Sequence, residues 1–284
     1  MKTERKGILL VIVAALLWST GGVLIKFIPL SSMAISSFRS LLGLIVIFIF
    51  YHKQKLIISK TVIISAFCLA YTLIGFVLAN RFTTAASAVV LQYCSPICVA
   101  FYMFLLYKRK PKRNEVIALF GALVGIILFF FGKFSGSSLL GNVIALSAGF
   151  SFGGLFLINS RSDCDSYSSL VFGQLLTFVI GIPFLFQEDY SVVTVGSIFA
   201  ILALGIFQVG IAYICFSIGI KHISPLEGNI ICMIEPVLNP IWVFLFIGET
   251  LSIYALFGTV IVISSIIFLN VSQAREAKKN LVKQ

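Results

Sequence analysis

The chain has 284 residues, of which 60% are hydrophobic and 11% charged, and its formal net charge is +11. A soluble domain carries about 25% charged and roughly 45–50% apolar residues, so this composition cannot cover an ordinary water-facing surface. It excludes soluble enzymes and cytosolic binding modules, and it points to a polytopic membrane protein.

Apolar stretches long enough to cross a hydrocarbon core of ~30 Å recur along the chain. In order, the expected spans are 7–27, 32–51, 61–79, 84–106, 114–132, 139–158, 167–186, 195–219, 226–247 and 252–271. Continuous apolar runs of this kind are helices, because barrel strands alternate over ~10 residues. The expected fold is therefore all-α, with ten transmembrane helices, short connections and no soluble domain. Lys2, Arg5 and Lys6 ahead of the first run resemble a signal sequence. That run is longer than a signal core of roughly 7–15 residues, and further spans follow it, so it reads as the first retained helix.

The basic residues fall on alternate connections. The N-terminal segment, Lys53, Lys55, Lys60, the run from Lys108 to Arg113, Arg161, Lys221 and the C-terminal tail hold 17 Lys and Arg, against Arg81 and Lys133 on the other side. The positive-inside rule then places both termini in the cytoplasm, with the chain in the cell membrane. The same clusters account for the net charge without nucleic acid, so the expected partners are the lipid bilayer and a small-molecule substrate. Cys68, Cys94, Cys98, Cys215 and Cys232 lie inside apolar runs, Cys164 lies in a loop, and no CxxC pair occurs. They read as small core side chains. His52 and His222 flank loops, so neither a metal nor a cofactor is expected.

An internal repeat is visible. With 81–111 set over 221–251, Pro96 falls on Pro236, Thr84 on Ser224, Tyr102 on Trp242 and Phe104 on Phe244. A second alignment pairs Gly7 with Gly141, Ala14 with Ala148 and Trp18 with Phe152. The chain divides into 1–134 and 135–284, each with five spans. Five is odd, so the second half crosses the membrane in the opposite sense. Charge agrees: the loop from Lys108 to Arg113 is basic, whereas 248–251 holds no Lys or Arg. Inverted repeats are the architecture of secondary transporters, with the substrate site near the midplane. Two fused halves also remove the need for a dimer, so a monomer suffices.

Three stretches carry a family resemblance: Trp18-Ser-Thr-Gly-Gly-Val-Leu-Ile-Lys26, Phe38-Arg39, and Glu235-Pro236 running on to Phe246-Ile-Gly-Glu249-Thr-Leu-Ser252. With the ten-span plan, they resemble the EamA-domain branch of the drug/metabolite transporter superfamily over nearly the whole chain. The resemblance implies amino acids, related metabolites or amphipathic drug-like compounds as substrates, often exported. It also implies that the fifth and tenth spans lie outside the cavity. One departure stands out: the fourth span ends in Tyr107-Lys-Arg-Lys110, where the family pattern more often has a Gly-Glu pair like Gly248-Glu249.

Proline within a span removes a backbone donor and frees the carbonyl four residues earlier, which lipid does not tolerate. Pro96 and Pro236 are expected to break the fourth and ninth spans at equivalent positions, and Pro240 to loosen the ninth again. Paired breaks of this kind point to a transporter site. Gln92, Ser95, Val99 and Tyr102 fall within a stripe of about 80° on the fourth helix. Cys232, Glu235, Asn239 and Trp242 form the equivalent stripe on the ninth. The two stripes are expected to face each other across a central cavity, the alternative being polar glue between helices.

Glu235 is the deepest carboxylate. It reads as a proton-coupling site or an anchor for a cationic substrate group, or else as a buried carboxyl bonded to Gln92, Tyr102 or Arg39. Arg39 can hold a carboxylate or phosphate in bidentate fashion, whereas Lys26 can snorkel to the outer interface. Trp18, Tyr71, Asn159, Gln174, Gln208 and Tyr213 are further candidates, with packing as their alternative. Glu227 and Glu249 read as interfacial. The pairs Gly121/Gly125 and Gly149/Gly153 permit close helix approach.

The expected function is secondary active transport, in the export direction, of small polar metabolites by alternating access. No GxxxxGK[ST] motif occurs, so a proton gradient or exchange would drive it. The alternative is a flippase for a lipid or lipid-linked sugar. A membrane enzyme is not expected, since no HExxH or GxSxG motif occurs and both histidines lie outside the spans.

Overall fold

The computed structural model describes residues 2–82, 91–129, 139–247 and 253–282. Among these residues every regular element is a helix. They are α1 (Lys2–Ser19), α2 (Gly21–Lys26), α3 (Ser32–Phe50), α4 (Lys60–Phe82), α5 (Ser95–Tyr107), α6 (Arg113–Phe129), α7 (Leu139–Asn159) and α8 (Ser166–Leu185). A short 3-10 turn (Tyr190–Val192) leads to α9 (Val195–Ala203), a π-helical stretch (Leu204–Ile211) and α10 (Ala212–Gly219). The chain ends with α11 (Pro225–Cys232), α12 (Ile234–Ile247) and α13 (Ile253–Val282). Among the described residues six segments are long and apolar enough to cross a membrane: Thr3–Ile25, Ser32–Phe50, Lys60–Ala79, Leu139–Asn159, Ser166–Leu185 and Val195–Gly219.

Several expected spans are interrupted. The first breaks at Thr20, the fourth turns at Tyr93 and Cys94, and the ninth breaks at Met233. The last two breaks fall two to three residues ahead of Pro96 and Pro236, not on them. A first helical turn tolerates a missing N–H, so each helix restarts just before its proline. The carbonyl that Pro96 frees belongs to Gln92, and α7 covers it. A Cβ on Gly149 would sit 2.8 Å from that oxygen and 3.0 Å from the Leu91 carbonyl. At Pro240 the outcome differs from expectation, because α12 runs through it without interruption.

The helices pack in matching pairs. α4 packs on α7 and α8, α1 on α10, the π-helical stretch on α3, α5 on α7, and α12 on α1; α3 pairs with α8, and α6 with α13. The α6–α13 seam is close because Gly121 faces the Ser265 hydroxyl and Gly125 faces Val262 and the Gly258 carbonyl. The core centres on Trp18, Phe152, Phe156, Tyr213 and Phe216, all buried.

Lys108, at the end of α5, is in the left-handed region with φ 54°. It stands where the second half has Gly248, so the departure from the Gly-Glu pattern puts a side chain on a backbone conformation that suits glycine. Its neighbour Arg109 donates to Glu115 at 2.7 Å, at the start of α6. Lys108→Gly should therefore raise stability by about 0.5–1 kcal/mol, read as a higher midpoint in thermal unfolding.

The α7–α8 connection ties three elements together. Arg161 donates to both Asp163 oxygens at 2.7 Å and to the Tyr107 hydroxyl at 3.1 Å. Lys221 Nζ donates to the carbonyls of Arg161 and Cys164 at 2.5 and 2.7 Å. The Arg161 guanidinium holds the Asp163 carboxyl below the usual carboxylate range. A depressed carboxylate contributes above its ordinary pKa, and that contribution is lost as pH falls through the depressed value. Any loss of thermal stability in Arg161→Gln should accordingly be equal at about pH 6 and about pH 8.

Candidate functional site

The two proline-associated breaks meet. Tyr93, in the turn ahead of α5, donates its hydroxyl to Oε2 of Glu235, in the first turn of α12, at 2.5 Å. Ser95 Oγ donates to Oδ1 of Asn229, near the end of α11, at 2.8 Å. The breaks in the fourth and ninth spans are thus held together by side chains rather than by a continuous helix face.

The predicted stripes do not oppose each other along their length. Tyr102 donates to the Phe150 carbonyl of α7 at 3.2 Å. Trp242 Nε1 donates to Ser19 Oγ at 2.8 Å, and Asn239 lies against Gly22, where any Cβ would overlap its amide. The reason is packing: α5 rests on α7, whereas α12 rests on α1 and α2. Trp242→Phe removes one side-chain hydrogen bond within the membrane. It should lower stability by about 0.5–1 kcal/mol, seen as a modest drop in thermal midpoint.

Trp18 is buried among aromatic rings. Its ring lies 5.0 Å from Tyr213, 5.6 Å from Phe216 and 6.1 Å from Phe152. Phe152 in turn lies edge-on to Tyr93 at 6.3 Å. The indole Nε1 of Trp18 is buried and finds no hydrogen-bond partner among the described residues. Arg39 is 4% exposed. Its guanidinium is near enough to the Glu235 carboxylate to feel its charge, yet among the described residues it forms no ion pair, and its Nε has no partner.

A buried cation and a nearby carboxylate that do not pair are costly inside a membrane, and such groups mark substrate or ion sites. A cation, a carboxylate and aromatic rings can together hold a polar solute by its charges and its body. Gln208 adds a neutral amide. It lies in the π-helical stretch, its Nε2 is 3.1 Å from where a Cβ on Gly21 would stand, and its Oε1 has no partner among the described residues. Helical turns of this kind are rare and are frequently found at functional sites. Gln92 is buried, with its Oε1 likewise unpartnered.

The remaining candidates separate from this cluster. Tyr71 is 49% exposed and shares a hydrogen bond with Ser147 of α7 at 2.8 Å. Asn159 donates to Ser65 at 2.7 Å. Glu227, expected at an interface, is buried in the first turn of α11, and its backbone N–H donates to Ser224 Oγ. The side chains of Lys26 and Pro240, and all of Glu249, lie outside the described residues. No group of three or more possible metal ligands occurs among the described residues.

Sequence reasoning missed Tyr93, Asn229 and Ser19. Tyr93 is one step off the expected stripe, and only the break ahead of Pro96 turns it toward Glu235. An amphipathic aromatic residue in the turn that a proline loosens was the available signal.

The EamA-like transporter family model matches residues 5–131 and 139–271. The uncharacterized inner membrane transporter YicL of Salmonella typhimurium is 26% identical, over 98% of this chain and 99% of its own. The uncharacterized transporter YwfM of Bacillus subtilis is 27% identical, over 86% of each chain. A solved crystal structure shares the fold with a TM-score of 0.80 at 17% identity, covering 93% of this chain and 97% of that one. Matched across both stretches, and built from apolar helices of membrane-crossing length, the chain is a multi-pass membrane transporter and belongs to the EamA-like transporter family.

Proposed function

We propose that the chain is a secondary active transporter that exports small polar metabolites, such as amino acids or related compounds, by alternating access around the Trp18–Arg39–Glu235 cluster. The observation that carries this reading is the buried Arg39, unpaired among the described residues, beside a carboxylate whose hydrogen-bond donor is Tyr93. The ten spans form two inverted halves, 1–134 and 135–284, with both termini cytoplasmic. Helix packing supports the halves, because the pairs recur with the halves exchanged: α4 on α7 as α10 on α1, α4 on α8 as the π-helical stretch on α3, α5 on α7 as α12 on α1. Trp18 and Phe152, matched in the sequence repeat, touch each other.

Glu235 gives the coupling. As a carboxylate it accepts from Tyr93 and can hold an ammonium group of the substrate. Once protonated it carries a hydrogen of its own and loses its hold on a cation. One carboxyl that takes either a proton or the substrate links inward proton flow to outward solute flow, and a single chain suffices for this. Arg39 and the aromatic rings hold the rest of the solute.

The experiment is mass spectrometry of medium, cells and lipid fraction from a transport-deficient bacterial host with and without the protein. A small set of polar metabolites displaced to the medium is the expected result. A change confined to the lipid fraction would replace this reading with that of a flippase.

A further inference from the structure

The connection from α3 to α4 reads His52-Lys-Gln-Lys-Leu-Ile-Ile-Ser-Lys60, and residues 54–59 of it have no regular structure. Leu56, Ile57 and Ile58 are consecutive and are 44%, 53% and 74% exposed. Connections are normally polar, and a run of exposed apolar residues in one marks a contact with something apolar. Lys53, Lys55 and Lys60 flank the run and are exposed as well. Among the described residues none of these lysines forms an ion pair.

This exposure is held in place by the backbone. Ile57 donates its N–H to Ser168 Oγ, in the first turn of α8, at 2.8 Å. Ser59 Oγ accepts the Val62 N–H at 3.2 Å and so starts α4, and Thr61 Oγ1 donates to the Asp163 carbonyl at 3.0 Å. On the other side of the run, the Gln54 N–H donates to the Tyr51 carbonyl at 2.8 Å, and the Tyr51 ring lies 5.1 Å from Tyr167 of α8. The connection is therefore a strap fastened across the start of α8, with its apolar run facing out. Two carboxylates border it, and both are engaged: Asp163 with Arg161 at 2.7 Å, and Asp165 with the Ser168 N–H at 2.8 Å.

Unpaired ammonium groups call for anions, and exposed aliphatic side chains call for hydrocarbon. At the end of a membrane bundle one kind of molecule meets both, a phospholipid with an anionic headgroup. The lysine stems can lie along acyl chains while their ammonium groups reach phosphates. Each lysine near an anionic membrane surface strengthens binding, within a range set by salt. A soluble anion would leave the Leu-Ile-Ile run in water, and a zwitterionic lipid would leave the lysines without a net counter-charge.

We infer that residues 53–60 form an interfacial strap that binds anionic phospholipids, with their phosphates at Lys53, Lys55 and Lys60 and their acyl chains against Leu56, Ile57 and Ile58. The inference requires only that the chain sits in a bilayer, and it is independent of the transport mechanism proposed above.

Native mass spectrometry of the purified full chain in detergent, titrated with phosphatidylglycerol or phosphatidylcholine, tests this. Wild type should bind phosphatidylglycerol about ten- to a hundredfold more tightly than phosphatidylcholine. Lys53→Gln/Lys55→Gln/Lys60→Gln should lose at least about tenfold of that preference, with an unchanged thermal midpoint in lipid-free detergent, whereas arginine at the same positions should keep it. Leu56→Ser/Ile58→Ser should weaken both lipids alike. Unchanged phosphatidylglycerol binding in the Lys→Gln variant overturns the strap. So does an equal loss in Lys108→Gln/Lys110→Gln/Arg113→Gln, which removes the same charge from the α5–α6 connection and would trace binding to net charge alone. Glycerol phosphate carries the headgroup anion without acyl chains and should not displace the lipid at equal concentration. Displacement would make this a soluble-anion site and overturn the lipid occupant. A dimer that Leu56→Ser/Ile58→Ser dissolves would overturn it too, by assigning the apolar run to a second copy of the chain.

Discussion

Glu235→Gln should abolish metabolite export while leaving the fold intact. The amide is close to the carboxyl in shape and still accepts from Tyr93, so the joint between the two broken spans survives. It can neither take up a proton nor carry the negative charge that holds an ammonium group. Loss of one charged contact in a desolvated site is worth about 1.5–3 kcal/mol, or about ten- to a hundredfold in export. Loss of coupling adds to this. Tyr93→Phe should do less, because it removes a donor and keeps the charge. Metabolite profiles at matched expression and a thermal midpoint close to wild type check the first claim. A misfolded variant would instead show a collapsed midpoint.

Gly149→Val should have the largest effect on folding. Its Cβ would meet the Gln92 and Leu91 carbonyls at 2.8 and 3.0 Å. Both are backbone atoms at the break ahead of Pro96, and they cannot swing aside as a flexible side chain would. α5 and α7 would have to separate, exposing a carbonyl that has lost its helical donor to apolar surroundings. The expected cost is about 3 kcal/mol or more, enough to reduce the yield of folded protein in detergent. Gly196→Ala is the contrasting case. The nearest atom to its Cβ is Thr194 Oγ1 at 3.7 Å, an ordinary contact, so little change is expected.

Much of the fold was legible because a bilayer imposes length. The spans expected at 32–51 and 167–186 match Ser32–Phe50 and Ser166–Leu185 closely. The interior of the spans was harder to read. A membrane helix is apolar all round, so sequence does not say which side meets protein; that Tyr71 shares a hydrogen bond with Ser147 of α7 is visible only in the structure. The π-helical stretch leaves no compositional trace, although Gln208 within it is a candidate from its polarity alone. The burial of Arg39, Trp18 and Tyr213 was legible because charge and amphipathic aromatics are expensive in lipid and collect where protein or a wet site receives them. Tyr93 was not, because its position depends on where a helix restarts ahead of a proline. The stripe argument failed for a similar reason: it treats the fourth and ninth spans as unbroken helices, and each break resets the rotation of the helix beyond it.

The central claim is that Glu235 exchanges a proton for the substrate. The most direct test is uptake of a metabolite identified in the profiling, measured in proteoliposomes with and without an imposed pH gradient. Wild type should be accelerated by the gradient, and Glu235→Gln should show no acceleration. A gradient response in Glu235→Gln equal to that of wild type would contradict the claim and move the coupling to another residue.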